Sequence, residues 1–82
     1  MNIAIAGTGY VGLVTGVCFA EMGHTVTCVD IDESKLEIMR QGLSPIYEND
    51  LEKLMQKNNA AGRLHYTSDY KQAYAHADAV FI

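Results

Sequence analysis

Residues 7–12 read Gly7-Thr8-Gly9-Tyr10-Val11-Gly12, a GxGxxG pattern between two contrasting segments of the chain. The apolar run Ile3-Ala4-Ile5-Ala6 precedes it, and a segment with helical spacing of apolar residues begins inside it. A second apolar segment then ends at an acid, Asp30. A GxGxxG pattern alone is weak evidence, but this full strand, turn, helix and strand context is typical of a βαβ unit that binds a dinucleotide.

The three glycines have separate physical roles in this interpretation. Gly7 allows the chain to turn sharply after the first strand, Gly9 lets a diphosphate approach the backbone, and Gly12 lets the helix pack closely on the sheet. The N–H groups and the positive dipole end of the helix then hold the diphosphate without a lysine. Because no Gly-Lys-Ser or Gly-Lys-Thr follows, the pattern excludes a nucleotide-hydrolysing P-loop. The alternative is a glycine-rich turn that binds no ligand.

Asp30 indicates which dinucleotide such a site would take. At the end of the second strand, a carboxylate can accept hydrogen bonds from both hydroxyls of an adenosine ribose, and it would repel a 2′-phosphate. Ile31 follows, and no arginine is there to bind that phosphate. The sequence therefore predicts NAD rather than NADP, with the alternative that Asp30 only caps the next helix. Lys35 is predicted to lie beside Asp30, or else to be an ordinary solvated lysine.

Hydrophobic spacing and capping residues predict the other elements. The first helix covers residues 11–22, ends at Gly23, and is expected to bury Val11, Val14, Cys18 and Met22, with Leu13 and Val17 beside them. The later elements are a strand over 25–29, a helix over 32–41, a loop over 44–48, a helix from a capping box at Asn49 and Glu52 to Gly62, a strand over 64–67, a short helix over 69–76 and a buried strand over 79–82.

This order of elements predicts an α/β fold. With right-handed crossovers it gives a Rossmann-type parallel sheet, partial, with four strands in the order 3-2-1-4 and flanking helices. Because the chain stops on the apolar residues 79–82, we expect residues 1–82 to be an N-terminal NAD-binding domain truncated at its C-terminal end. The fourth strand would then be an exposed edge, which makes a homo-oligomer a hypothesis.

Composition and charge narrow the class of protein. Eighty-two residues allow one small domain, and a net charge of −4 argues against nucleic acid and anionic membranes as partners. No apolar stretch approaches the roughly 20 residues that span a bilayer, and Met1-Asn2 gives no positive n-region of a secretory signal, so a cytoplasmic protein is predicted. Cys18 and Cys28 are predicted to be buried free thiols. His24, His65 and His76 are scattered singly, so no metal site is predicted.

Several stretches together resemble one known family. They are Gly7–Leu13, with Tyr10-Val11-Gly12 as the most specific part, Val29–Asp32 with Lys35, and Pro45–Glu48. With them, nearly the whole chain resembles the UDP-glucose/GDP-mannose dehydrogenase family. The resemblance implies an NAD site formed by Gly7, Gly9, Tyr10, Val11 and Gly12. It also implies that Asp30 binds the adenosine ribose, that Lys35 lies alongside, and that Glu48 is close to the cofactor end of the sheet.

The resemblance further implies the activity of a longer enzyme. Members of the family oxidise the C6 alcohol of a nucleotide sugar, a small-molecule substrate, to a carboxylate in two NAD-dependent steps through a cysteine thioester. Neither Cys18 nor Cys28 matches the position of that nucleophile, so we expect no catalytic residue in this chain and no activity from it alone. Two alternatives are another NAD-dependent dehydrogenase, of hydroxyacyl or phosphogluconate type, and a non-catalytic nucleotide-sensing module.

Overall fold

A computed structural model describes residues 1–7, 9–44 and 49–81 of the chain. The predicted loop residues Pro45–Glu48 therefore lie outside the described residues, as do Thr8 and Ile82. The elements follow in the predicted order: β1 (Asn2–Ala6), α1 (Tyr10–Glu21), β2 (Thr25–Val29), α2 (Glu33–Arg40), α3 (Asn49–Ala60), β3 (Leu64–Thr67), α4 (Tyr70–Ala75) and β4 (Ala79–Phe81). In these ranges no helix is long and apolar enough to cross a membrane.

The four strands form one parallel sheet in the order β3-β2-β1-β4, which confirms the predicted topology. The register aligns Ile3 with Val26, and Val26 with Leu64. Side chains alternate between the two faces of a strand, so these residues share one face of the sheet. That face is the buried one, because all three side chains belong to the hydrophobic core.

Helix α1 packs on this buried face of the sheet. The side of the helix that faces the sheet is not the one that the apolar spacing predicts. Leu13, Val17 and Ala20 are fully buried, whereas Val11 is 75% exposed and Met22 is 71% exposed. Cys18 is exposed as well, so its predicted burial is wrong, while the free thiol of Cys28 is buried as predicted. Nearly every position of α1 except the glycines is apolar or small, and hydrophobicity therefore does not select one face.

A glycine marks the face that does pack. A Cβ atom at Gly16 would lie 3.1 Å from Cys28 Sγ and 3.3 Å from side-chain carbons of Ile5 and Val26. These contacts are tighter than ordinary van der Waals separation, so glycine brings α1 closer to the sheet than a larger residue would.

The next two helices complete this layer. Leu36 and Met39 of α2 and Leu51 and Met55 of α3 are buried. Helix α3 begins one residue earlier than expected, since Asn49 is already helical. The Glu52 carboxylate reaches back beyond that start and accepts a 2.8 Å hydrogen bond from the Ser44 backbone N–H.

The opposite face of the sheet is covered less completely. Helix α4 lies there, over a cavity of about 460 Å³ that is also lined by Thr25, Thr27 and His65. At the sheet edge, Val80 and Phe81 of β4 are 43% and 42% exposed. The prediction of a buried fourth strand is therefore wrong. The prediction that this strand is an exposed edge is confirmed, because β4 pairs only with β1 in the described sheet.

Candidate functional site

The carboxyl end of β1 turns directly into α1 through Gly7. Its φ of 82° is in the left-handed region that favours glycine, and its N–H donates a 2.9 Å hydrogen bond to the Val29 carbonyl. Gly12 packs on this turn, because a Cβ atom there would lie 2.6 Å from the Gly7 carbonyl oxygen. The structure itself therefore requires glycine at both positions.

Gly9 is different, because the described chain gives no reason for a glycine there. Its φ of −70° and ψ of 176° are extended backbone that any residue can adopt. A Cβ atom at Gly9 would meet no heavy atom of the described residues within 4 Å. A ligand that contacts the backbone would explain the missing side chain, since it would occupy the space that a Cβ atom takes up.

The N-terminus of α1 is also unlike those of two other helices. Asp32 caps α2 by accepting from the Ser34 and Lys35 N–H groups, and Asp69 caps α4 by accepting from the Gln72 N–H. No side chain in the described ranges caps α1 at Gly9, and its first turn contains no acid. The first N–H groups of a helix have no intrahelical partner, so this end is suited to bind an anion.

A cavity of about 410 Å³ opens beside this helix end, where β1 and β4 are neighbours. The first and fourth strands therefore flank this cavity. Four lining residues lie outside the predicted site, namely Thr15, one turn after Val11, Phe81 at the end of β4, and Ile5 and Ala6 of β1. The i, i+4 spacing of Val11 and Thr15 was the available signal for the first. The full lining is Ile5, Ala6, Gly7, Gly9, Val11, Gly12, Thr15 and Phe81.

Asp30 lies one strand away, at the carboxyl end of β2. Its backbone N–H donates to the Thr67 carbonyl at 3.1 Å, which continues the sheet pairing by one residue. Its Oδ1 accepts a 2.9 Å hydrogen bond from the Asp32 N–H, and its Oδ2 is 3.8 Å from Lys35 Nζ. The alternative that Asp30 only caps the next helix is wrong, because Asp32 is the N-cap of α2.

The two predicted parts of the site thus lie at the same end of the sheet, where the carboxyl ends of β1 and β2 are neighbours. Gly7, Gly9, Val11 and Gly12 form the β1–α1 corner, and Asp30 with Lys35 forms the β2–α2 corner. Tyr10 contributes the first backbone position of α1, and its side chain is not described. Glu48 lies outside the described residues, so its predicted position near this edge stays a prediction.

Three titratable groups that are not among the predicted site residues have shifted pKa values. Burial raises the pKa of the Cys28 thiol to about 12 and also raises the pKa of the Tyr66 phenol. A hydrogen bond from Lys57 lowers the pKa of the Glu21 carboxyl. Cys28 is therefore a protonated thiol at neutral pH, which makes it a poor nucleophile. In the described ranges no group of three or more His, Cys, Asp or Glu residues could hold a metal ion.

Comparison with known proteins gives one consistent family. Residues 1–82 match the model of the NAD binding domain of the UDP-glucose/GDP-mannose dehydrogenase family. The chain is 57% identical to the UDP-glucose 6-dehydrogenase YwqF of Bacillus subtilis and 52% identical to the UDP-glucose 6-dehydrogenase of Rhizobium meliloti, in each case over 82 residues. Each match covers 100% of this chain and 19% of the relative, so the chain spans about a fifth of the length of these relatives.

A solved structure supports the same assignment. The chain superimposes on GDP-mannose dehydrogenase from Pseudomonas aeruginosa, crystallised as a ternary complex, with a TM-score of 0.92 and 40% identity. The match covers 100% of this chain and 19% of that one. Sequence and fold therefore agree over the whole length of the chain.

Proposed function

Because this chain belongs to the UDP-glucose/GDP-mannose dehydrogenase family and corresponds to its NAD-binding domain, we propose that residues 1–82 are the N-terminal cofactor-binding part of an NAD-dependent UDP-glucose 6-dehydrogenase. The whole enzyme would oxidise the C6 alcohol of UDP-glucose to the carboxylate of UDP-glucuronate. The names of two relatives, at 57% and 52% identity, support this substrate. The runner-up is a GDP sugar, since a structural relative at 40% identity is named for GDP-mannose.

One observation carries the cofactor-binding part of the proposal. The uncapped start of α1, with a glycine at Gly9 that the fold does not require, faces the same sheet edge as the Asp30 carboxylate. The residues present fit a dinucleotide at this edge. The N–H groups of the α1 start would hold its diphosphate, and Asp30 would accept hydrogen bonds from the adenosine ribose. Lys35 would lie beside that ribose.

The chemistry would be divided between this chain and the rest of the enzyme. NAD, when bound, supplies the acceptor for the hydride that leaves C6 in each of the two oxidation steps. The contribution of this chain is to bind and orient NAD, and to reject NADP through the negative charge of Asp30. Groups that act on the sugar would lie beyond these residues. A cytoplasmic location also stays a prediction.

The proposal is tested by titrating the 82-residue chain with NAD while following its backbone amide NMR signals. We expect shifts at Gly9, Val11, Gly12 and Asp30, and weak binding on the order of millimolar, because only half of the dinucleotide is gripped here. NADP should bind more weakly than NAD. Unchanged signals at both corners would refute the cofactor site, and micromolar binding would instead favour a nucleotide-sensing module.

A further inference from the structure

Helix α2 is a short element with a small hydrophobic anchor. It has eight residues, of which only Leu36 and Met39 are buried. Its first turn nevertheless holds the Asp30 carboxylate, through the Asp32 N–H at 2.9 Å and Lys35 Nζ at 3.8 Å. The direction of the Asp30 side chain therefore depends on where the start of α2 sits relative to the sheet.

Two polar contacts tie α2 to the carboxyl end of β3. At the start of the helix, the Ser68 hydroxyl donates a 2.6 Å hydrogen bond to Glu33 Oε1. Near its end, Arg40 Nη2 donates to the Tyr66 carbonyl at 3.1 Å, and Arg40 Nη1 lies 3.5 Å from Glu33 Oε2. Glu33 thus contacts both Ser68 and Arg40. Only its hydrogen bond with Ser68 ties the first turn of α2 to the carboxyl end of β3.

The backbone of Asp30 is held independently of this contact. Its N–H donates to the Thr67 carbonyl as a continuation of the β2–β3 pairing. Loss of the Ser68 hydroxyl would therefore leave the Asp30 backbone in place and release the turn that directs its carboxylate. The main-chain position and the side-chain direction of Asp30 have separate supports.

We propose that Ser68 and Glu33 are positioning residues for the ribose end of the cofactor site: their hydrogen bond fixes the first turn of α2, and that turn aims the Asp30 carboxylate. This inference rests on the proposed function, in which Asp30 binds the adenosine ribose. Neither residue needs to touch the ligand. Their effect should appear in recognition of the ribose hydroxyls and leave recognition of the diphosphate unchanged.

The test compares two ligands, ADP and 2′,3′-dideoxy-ADP, which differ only in the two ribose hydroxyls. The wild-type chain should prefer ADP in titrations followed by amide NMR. Ser68→Ala should reduce this preference by roughly two- to tenfold, the range expected from one hydrogen bond, while the affinity for dideoxy-ADP stays unchanged. Ser68→Thr keeps the hydroxyl and should restore the preference.

Two further variants make the comparison specific. Ser34→Ala removes the same atom from the first turn of α2 without altering the Ser68–Glu33 bond, and it should retain the wild-type preference. Glu33→Ala removes the acceptor and should reproduce the Ser68→Ala result. It serves as the second route if Ser68→Ala does not fold.

The outcomes separate this inference from the proposed function. If the wild-type chain binds ADP and dideoxy-ADP equally well, the ribose role of Asp30 fails, and the positioning role fails with it. If the wild type prefers ADP and Ser68→Ala retains that preference, only the positioning role is refuted. Equal weakening of both ligands by Ser68→Ala, together with a lower melting temperature, would show a purely structural contact and also refute it.

Discussion

Gly9 and Gly12 are neighbours in the same turn but are glycines for different physical reasons. At Gly12 a Cβ atom would collide with the Gly7 carbonyl oxygen at 2.6 Å, so the fold excludes a side chain. At Gly9 the same atom would point into open space in the described structure. Fold and ligand binding can therefore be separated at these two positions.

Replacing Gly9 with valine should abolish NAD binding and leave the stability of the chain nearly unchanged. The new side chain would occupy space that the diphosphate needs, and the backbone there is already in a conformation that valine adopts. Gly12→Val is the matched variant and should destabilise the fold by about 1–3 kcal/mol through overpacking. Urea denaturation and NAD titration of both variants check this. Normal NAD affinity in Gly9→Val would contradict the assignment.

Replacing Asp30 with asparagine should weaken NAD binding by about 1–3 kcal/mol, because charge-assisted hydrogen bonds to the ribose are lost. The preference for NAD over NADP should also narrow, since the repulsion of a 2′-phosphate disappears. Titration with both cofactors measures the two effects. Asp50→Asn makes the same charge change at an exposed position of α3 and should alter neither affinity. An unchanged cofactor preference in Asp30→Asn would remove Asp30 from the site.

At the scale of elements, a cluster of polar side chains connects α1, α3 and the start of β3 at the end of the sheet opposite the site. The buried Asn58 of α3 donates to the Leu54 carbonyl at 2.9 Å and accepts from Arg63 Nε at 3.0 Å. Arg63 Nε also donates to the Ala20 carbonyl at the end of α1. Lys57 adds an exposed ion pair with Glu21. The cluster links α1, α3 and the start of β3.

Asn58→Ala should destabilise the chain by about 1–3 kcal/mol, since it removes the hydrogen bonds to the Leu54 carbonyl, Glu21 Oε2 and Arg63 Nε from a fully buried position. Lys57→Ala should have a smaller effect on stability at neutral pH, because its ion pair with Glu21 is exposed to solvent. Lys57 lowers the pKa of Glu21 below its ordinary value of 4.5, so its contribution is present above pH 4.5 and is lost as the pH falls through the folded-state pKa. Urea denaturation at neutral and acidic pH measures both variants, and equal effects at neutral pH would contradict this ranking.

At the scale of the whole molecule, the sheet is unevenly covered. Helices α1 to α3 bury one face, α4 covers part of the other, and β4 presents an open edge with Val80 and Phe81 half exposed. Open strand edges with apolar side chains tend to pair with other chains. Self-association of this chain through β4 is therefore the expected behaviour at high concentration.

Sedimentation equilibrium over a range of concentrations tests this expectation. The apparent mass should rise with concentration, and Val80→Lys should reduce the rise, because a charged side chain on an edge strand opposes pairing. Thr25→Lys places the same charge on the same face of the sheet, but at the start of the interior strand β2, and should change association less. A wild-type monomer at every concentration would refute the idea.

The order of elements, the strand order and both corners of the site could be predicted from the sequence, because each depends on local signals such as glycine turns, β-branched runs and capping acids. The inward side of α1 could not be read from hydrophobicity, since Val11, Cys18 and Met22 are as apolar as the residues that are buried. The glycines at 12 and 16 were the better signal, because they mark the closest approach to the sheet. The burial of Asn58 depends on Arg63 and α1, which no local pattern around Asn58 reveals.

The uncapped start of α1 has a consequence for how the chain would respond to its ligand. Helix ends without partners open readily, and their amide hydrogens exchange quickly with deuterium. A bound diphosphate would accept hydrogen bonds from those amides and slow their exchange, while the first turn of α4, already closed by Asp69 and outside the proposed cofactor site, would exchange at the same rate as before. The exchange rate at the start of α1 would thus report whether the site is occupied, and α4 in the same molecule would serve as the internal reference.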